Sequence, residues 1–303
     1  MRTIRCVALL TGLASVAGAQ EMPADYRQVL DTLSRQGDYK AGVLKVNVPR
    51  NDLDVSIDGI ETPAAFGFGG WVALARGDGG MDVMMGDLVL LQEEVGPVMS
   101  ALLDNGLDVT ALHNHFFWDE PRVFFLHVHG HGTTADLARR VKPALALIGR
   151  TPAPAAAAAP IPPPGGPTGV AALDTARIAA IVGRAGEPNG AVYKVTVGRD
   201  DLHISELGAP IGARMGLNSW AAFIGTAENA AVAGDIAMLG VEVEPVLRTL
   251  RQAGIEVVAL HNHMIGTEPP IYFLHYWGEG RADLLAGAFR DALAQLGRAG
   301  TPR

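Results

Sequence analysis

Hydrophobic positions along this chain fall into alternating short runs and amphipathic stretches, and the series occurs twice. Ala24 to Arg35 places Tyr26, Val29, Leu30 and Leu33 at helical spacing before Gly37. Strand-like runs follow at Gly42 to Val48, Leu53 to Ile57, Trp71 to Ala75 and Met81 to Leu91, with turn residues at Asn51-Asp52 and Asp78-Gly-Gly80. Glu93 to Leu103 reads as a helix ended by Asn105-Gly106. Leu107 to His115 and Arg122 to His129 read as strands, and a helix capped by Thr133-Thr134 runs to the neighbourhood of Ile148. The order then restarts with a helix at Leu173 to Val182. Runs at Ala191 to Val197, Leu202 to Ser205, Trp220 to Ile224 and from Ala237 follow. Helix Glu242 to Arg251, strands Ile255 to His263 and Ile271 to Tyr276, and helix Arg281 to Leu296 complete it.

Residues 86–132 align with residues 234–280 without a gap and share 22 identities in 47 positions. Earlier pairs are Arg50 with Arg199, Asp52 with Asp201 and Trp71 with Trp220. A repeat at this level marks a duplicated unit. The expected fold is α+β, with two homologous domains over residues 20–150 and 169–303. Each is a mostly antiparallel sheet with helices packed on one side, and the pair is related by a pseudo-twofold. Residues 151–168, rich in Pro and Ala, read as a semi-rigid linker.

The repeat carries one conspicuous chemical pattern. Ala111-Leu-His-Asn-His115 is followed by His127, and Ala259-Leu-His-Asn-His263 by His275 at the same interval. A His-x-His on a strand puts both rings on one face, and odd-with-odd pairing to the next strand adds the third. Three convergent imidazoles suit a zinc ion, or another divalent transition metal, with an open position. The metal ligands expected are therefore His113, His115 and His127 in one domain and His261, His263 and His275 in the other. Glu94, Glu120, Glu242 and Glu268 recur and are the candidates for fourth ligand or general base. The competing account is strand histidines satisfied by backbone or carboxylate. Glu94 also fits a helix-start carboxylate, Glu120 a solvated turn, and Asp87, paired with Asp235, a turn or capping residue. Arg50-x-Asp52 reads as a surface pair. His129 and His131, unmatched in the second half, read as exposed, and Met81, Met84 and Met85 as core filling. Gly67-x-Gly-Gly lacks the context of a phosphate loop.

Charge and composition narrow the class. A net charge of -8 with no basic run argues against nucleic acid or an anionic membrane as partner. Arg2 and Arg5, an apolar run from Val7 to Val16, and Ala17-Gly-Ala19 form a secretory leader, cleaved between Ala19 and Gln20. The one cysteine, Cys6, leaves with residues 1–19, so thiol ligands and disulfides are excluded from the mature chain. No apolar stretch is long enough for a transmembrane segment. The expected location is periplasmic or secreted.

Gly86-Asp-Leu, Glu94-Val-x-Pro97-Val, Ala111-Leu-His-Asn-His115 and Glu120-Pro-x-x-x-Phe-Leu-His127 return almost unchanged in the second half. On these residues the chain resembles the LppY/LpqO family, exported bacterial proteins built on a domain of unknown function. The resemblance implies export and carries no reaction. The His-x-His spacing with a third His is also similar to zinc sites of acetolactate decarboxylase-like folds, by analogy of spacing. The expected function is an exported protein with one three-histidine metal site per domain, a zinc-dependent hydrolase or lyase. Its alternatives are a non-catalytic metal- or ligand-binding envelope protein, binding a small molecule or a cell-envelope ligand, and a metal-free structural module.

Overall fold

The computed structural model describes residues 20–150 and 172–298. The leader, Cys6 and the linker read at 151–168 lie outside the described residues. In the first half the elements are α1 (Ala24–Leu33), β1 (Gly37–Lys40), β2 (Val43–Pro49), β3 (Val55–Ile57), β4 (Ile60–Thr62), β5 (Gly69–Arg76) and β6 (Asp82–Leu91). Then come α2 (Gln92–Asp104), β7 (Asp108–His113), β8 (Asp119–Glu120), β9 (Val123–Gly132) and α3 (Thr134–Leu145). The second half repeats this as α4 (Thr175–Val182), β10 (Glu187–Asn189), β11 (Val192–Gly198), β12 (Ile204–Glu206), β13 (Ala209–Ile211), β14 (Asn218–Gly225) and β15 (Ala230–Leu239). It ends with α5 (Gly240–Gln252), β16 (Glu256–His261), β17 (Ile271–Gly280) and α6 (Ala282–Leu293). Among the described residues no helix is long and apolar enough to cross a membrane.

Each half forms one antiparallel six-stranded sheet, in the order β1-β2-β5-β6-β9-β7 and β10-β11-β14-β15-β17-β16. Period-two alternation gives every strand two faces. On one face Leu44, Val46, Val72, Leu74, Leu88 and Leu126 meet the helices through Val98, Leu102, Leu137 and Val141. Val98 and Leu102 lie on the buried stripe of α2 at intervals of four, with Glu94 one turn earlier.

The other faces of the two sheets close on each other, giving four layers: helix, sheet, sheet, helix. Val89 and Phe125 share one core with Ala222, Ala231 and Ala233 of the second half. Ala237 and Phe273 share another with Ala73, Val83 and Met85 of the first. The short hairpins cross over: Val55 and Ile57 lie against the second sheet, and Ile204, Ala209 and Ile211 against the first. This exchange is the expected pseudo-twofold. It fails at one hairpin seam. His129, expected to be exposed, is buried and lies 3.0 Å from Glu206, whereas their counterparts are the apolar Trp277 and Ile57. His131 is exposed as expected.

Candidate metal centre between the repeats

The histidine strands are aimed by a bulge. β7 pairs Asp108 with His129 and Val109 with Val128, then Ala111 with His127. The extra residue, Thr110, changes the parity of the pairing, so His113 and His127 come to share a face, one rung apart. β16 does the same through Val258, with Ala259 opposite His275. His115 and His263 lie just beyond their strands, and their rings stack on Phe125 and Phe273 at 3.2 and 3.4 Å between centroids.

That face is the one turned toward the other sheet, so the six histidines meet in a single cluster. His113 stacks on His261 at 3.7 Å, His115 on His275 at 3.5 Å and His127 on His263 at 3.9 Å. Nε2 of His113 is 3.1 Å from Nε2 of His275. The tightest groupings differ from the expected trio inside each domain. Three sets hold their ligand atoms within 4.8 Å of one another: His113, His261 and His275; His127, His261 and His263; Asp235, His263 and His275. The first two cross the junction, and His115 belongs to none. The Thr110 hydroxyl seals the seam by donating to the His263 carbonyl at 2.6 Å.

The cluster is short of hydrogen-bond partners. His113 Nδ1, both ring nitrogens of His115, Nε2 of His127, His261 and His263, and Nδ1 of His275 are buried without one, as are Oδ1 of Asp87 and of Asp235. Buried polar atoms left alone on this scale are rare in folded proteins. Burial holds all six imidazoles below the usual histidine range, most of them further lowered by neighbouring rings. His261 is pushed down to about 4. Backbone hydrogen bonds at Gly86 and Gly234 act the other way on His127 and His275. The rings are thus neutral near pH 7, which is the form that ligates a metal.

Two aspartates complete the cluster. Across the sheets Trp71 is opposite Asp87 and Asp87 opposite His127, and Trp220, Asp235 and His275 form the equivalent row. Asp87 lies 4.0 Å from His127, and Asp235 lies 3.9 Å from His263 and 4.0 Å from His275. Both were expected in turns or caps; both stand mid-strand. Burial pushes Asp87 up to about 7 and Asp235 well above the carboxylate range. Beyond them two half-buried lysines lie over indole rings, Lys45 over Trp71 at 4.2 Å and Lys194 over Trp220 at 3.9 Å. Burial pushes each ammonium down to about 8.

The profile of the family described as Domain of Unknown Function (DUF1259) matches residues 27–147 and again 176–295. The chain belongs to the DUF1259 family, in two copies. No curated protein matches it significantly. Among solved structures it is similar to the double-ringed trimeric shell protein MSM0271 from the RMM microcompartment, at 13% identity, 84% of this chain, 95% of that chain and TM-score 0.18. It is similar also to EtuB from Clostridium kluyveri, at 11% identity, 85% and 90% coverage and TM-score 0.19. A third is the trimeric bacterial microcompartment shell protein PduB, at 12% identity, 87% and 94% coverage and TM-score 0.20. At such TM-scores these likenesses carry no argument.

The four glutamates that mark the DUF1259 repeats do not join the histidines. Glu94 accepts from Arg50 Nη1 at 2.6 Å, from the Leu91 N–H at the start of α2 at 2.8 Å and from the Gly149 N–H at 2.7 Å. Glu242 is held in the same way by Arg199, Leu239 and Gly297. Their oxygens are committed to closing the helix start. Arg50, read as half of a surface pair, is 1% exposed and also grips Asp52. Glu120 and Glu268 are exposed, and Glu120 pairs with Ser56 at the edge of a small sheet. Periodicity alone places Asp87 and Asp235 in turns and passes over Lys45 and Lys194. Their signal was a lone charge inside an apolar run, recurring in both DUF1259 copies.

Proposed function

We propose that the two repeats together hold one divalent transition-metal ion, zinc in the first instance, and that the protein acts as an exported metal-dependent hydrolase or lyase. The observation that carries this is the set of partnerless ring nitrogens and carboxylate oxygens converging across the junction. Neutral imidazoles with a carboxylate are the donor set of such ions. Any two of the three ligand groups share a histidine, which favours one ion per chain over the two expected from one site per domain. An ion here would supply Lewis-acid polarisation. A cavity reaching His115, His263 and His275 gives a substrate access from the side of the aspartates. Asp87, with its carboxyl near neutrality, is placed to take or return a proton. Export, and the resemblance to LppY/LpqO proteins, belong to the same reading.

Metal analysis of purified, tag-free protein tests it. About one equivalent is expected, lost in the folded double variant His113→Ala/His261→Ala. Two equivalents, or a content that survives the double substitution, overturns the shared centre. N-terminal sequencing of the protein recovered from its native host is expected to begin at Gln20; a mature chain that keeps Met1 overturns export.

A further inference from the structure

We propose that the cavity between Lys45 and Lys194 is a binding site for a small planar carboxylate. The chain is acidic, at -8, yet it sends two lysines from inner strand faces into one space. Among the described residues neither ammonium has a hydrogen bond or an ion pair within 4 Å; each lies over its indole, with the raised carboxyls of Asp87 and Asp235 in the same cavity acting on them from farther off. Nearby arginines differ: Arg50, Arg199 and Arg214 all grip carboxylates.

A lysine over an indole can be a purely structural cation–π contact. Two such lysines facing one cavity repel each other; after burial this repulsion is the next influence on Lys45, with Asp87 and Asp38 acting the other way. The arrangement also sits at matching positions of both repeats. A single negative charge placed between the ammoniums removes the repulsion and desolvates little else.

The walls indicate the body of the ligand. Trp71 and Trp220 line the cavity and cross the junction. A Cβ at Gly216 would lie 3.3 Å from the Trp71 ring, and one at Gly67 would lie 3.9 Å from Trp220. Two mouths of about 470 and 350 Å³ open on the same central residues, Lys45, Trp71, Asp87, Lys194, Trp220 and Asp235. That space fits an organic ligand better than an inorganic oxyanion. One mouth is guarded by the Arg214–Asp38 pair at 2.9 Å; the equivalent positions of the other are small, Ala65 for Arg214 and Gly69 for Asn218. The geometry points to a carboxylate between the lysines, a flat apolar body between the indoles, and any extension leaving past Ala65 and Gly69.

The recognition elements do not include the histidines, so the site is tested apart from the metal. Benzoate is titrated into the full chain, before and after chelator treatment, by calorimetry and tryptophan fluorescence. Saturable binding is expected in both forms. Lys45→Met/Lys194→Met is expected to weaken it at least about tenfold with an unchanged circular dichroism spectrum, since each substitution removes a charge and keeps the stem. Benzylamine and inorganic phosphate are expected not to compete. Absence of saturation, affinity unchanged in the double variant, or displacement by phosphate overturns the assignment. Benzoate binding to chelated protein beside a failed metal analysis refutes the metal centre and leaves the anion site standing.

Discussion

Chelator-treated protein brought from pH 7.5 to pH 5 is expected to unfold cooperatively. An unfolded histidine titrates near 6.5, whereas burial holds the six clustered rings lower in the fold. Below about 6.5 the unfolded chain therefore binds more protons, so stability falls as pH falls. Asp87 and Asp235 oppose this. Their folded values are raised, so between about 4 and 7 the folded form keeps protons that the unfolded form releases. Six histidines against these two aspartates, with Asp82 and Asp119 also raised by burial, leave a net uptake of at most about four protons. At about 1.4 kcal/mol per proton per pH unit, the slope is on the order of 5 kcal/mol per unit, comparable to a whole domain's stability. Lys45 and Lys194, lowered to about 8, act only at alkaline pH. Circular dichroism with potentiometric proton counting checks the result. A fold intact at pH 4.5, or a transition without proton uptake, would show that the rings are not held neutral.

Arg50→Met is expected to cost about 3–5 kcal/mol, because it leaves Glu94 buried and charged without its counterion. The guanidinium reaches Glu94, Asp52 and the Val89 carbonyl at once, tying the end of β2 to the start of α2. Arg199→Met, acting on Glu242, Asp201 and the Ala237 carbonyl, is expected to cost a similar amount. Replacing both members, Arg50→Met with Glu94→Leu, is expected to cost less than the sum of the single losses, since no stranded charge remains. Urea midpoints at constant slope measure all three. A single Arg50→Met loss below about 1 kcal/mol would mean that Glu94 reaches water or takes up a proton when stripped of its partner.

Much of each half is legible from periodicity. The helices and most strands fall where the spacing of Tyr26, Val29 and Leu33, or the alternation in Arg122 to His129, places them. The His-x-His parity also carries through, although the odd-with-odd register depends on the bulge at Thr110, which no local pattern announces. Strand β15 begins at Ala230, seven residues before its apolar signal is read. Its Ala and Gly residues have weak strand preference, but the packed sheets require small side chains there: Gly234 lies against the Tyr276 ring and the Trp220 carbonyl. What local spacing could not give is the partner of each sheet face. Six histidines in two equal trios suit two separate clusters as well as one shared one. The choice is made by hydrophobic closure of one sheet on the other, a long-range event. Asp87 was misplaced for a related reason. Gly-Asp is a common turn pair, and only burial between two sheets turns that carboxyl into a member of the cluster.

The crossed hairpins make this chain the fused equivalent of a symmetric homodimer. In a true homodimer every substitution appears on both sides of the axis at once, so a polar contact at one seam would have to be a polar contact at the other. Joining the two copies in one polypeptide removes that constraint. His129 with Glu206 at one seam, and Trp277 with Ile57 at the other, are a record of the freedom so gained: one ancestral contact has become two that can be altered independently.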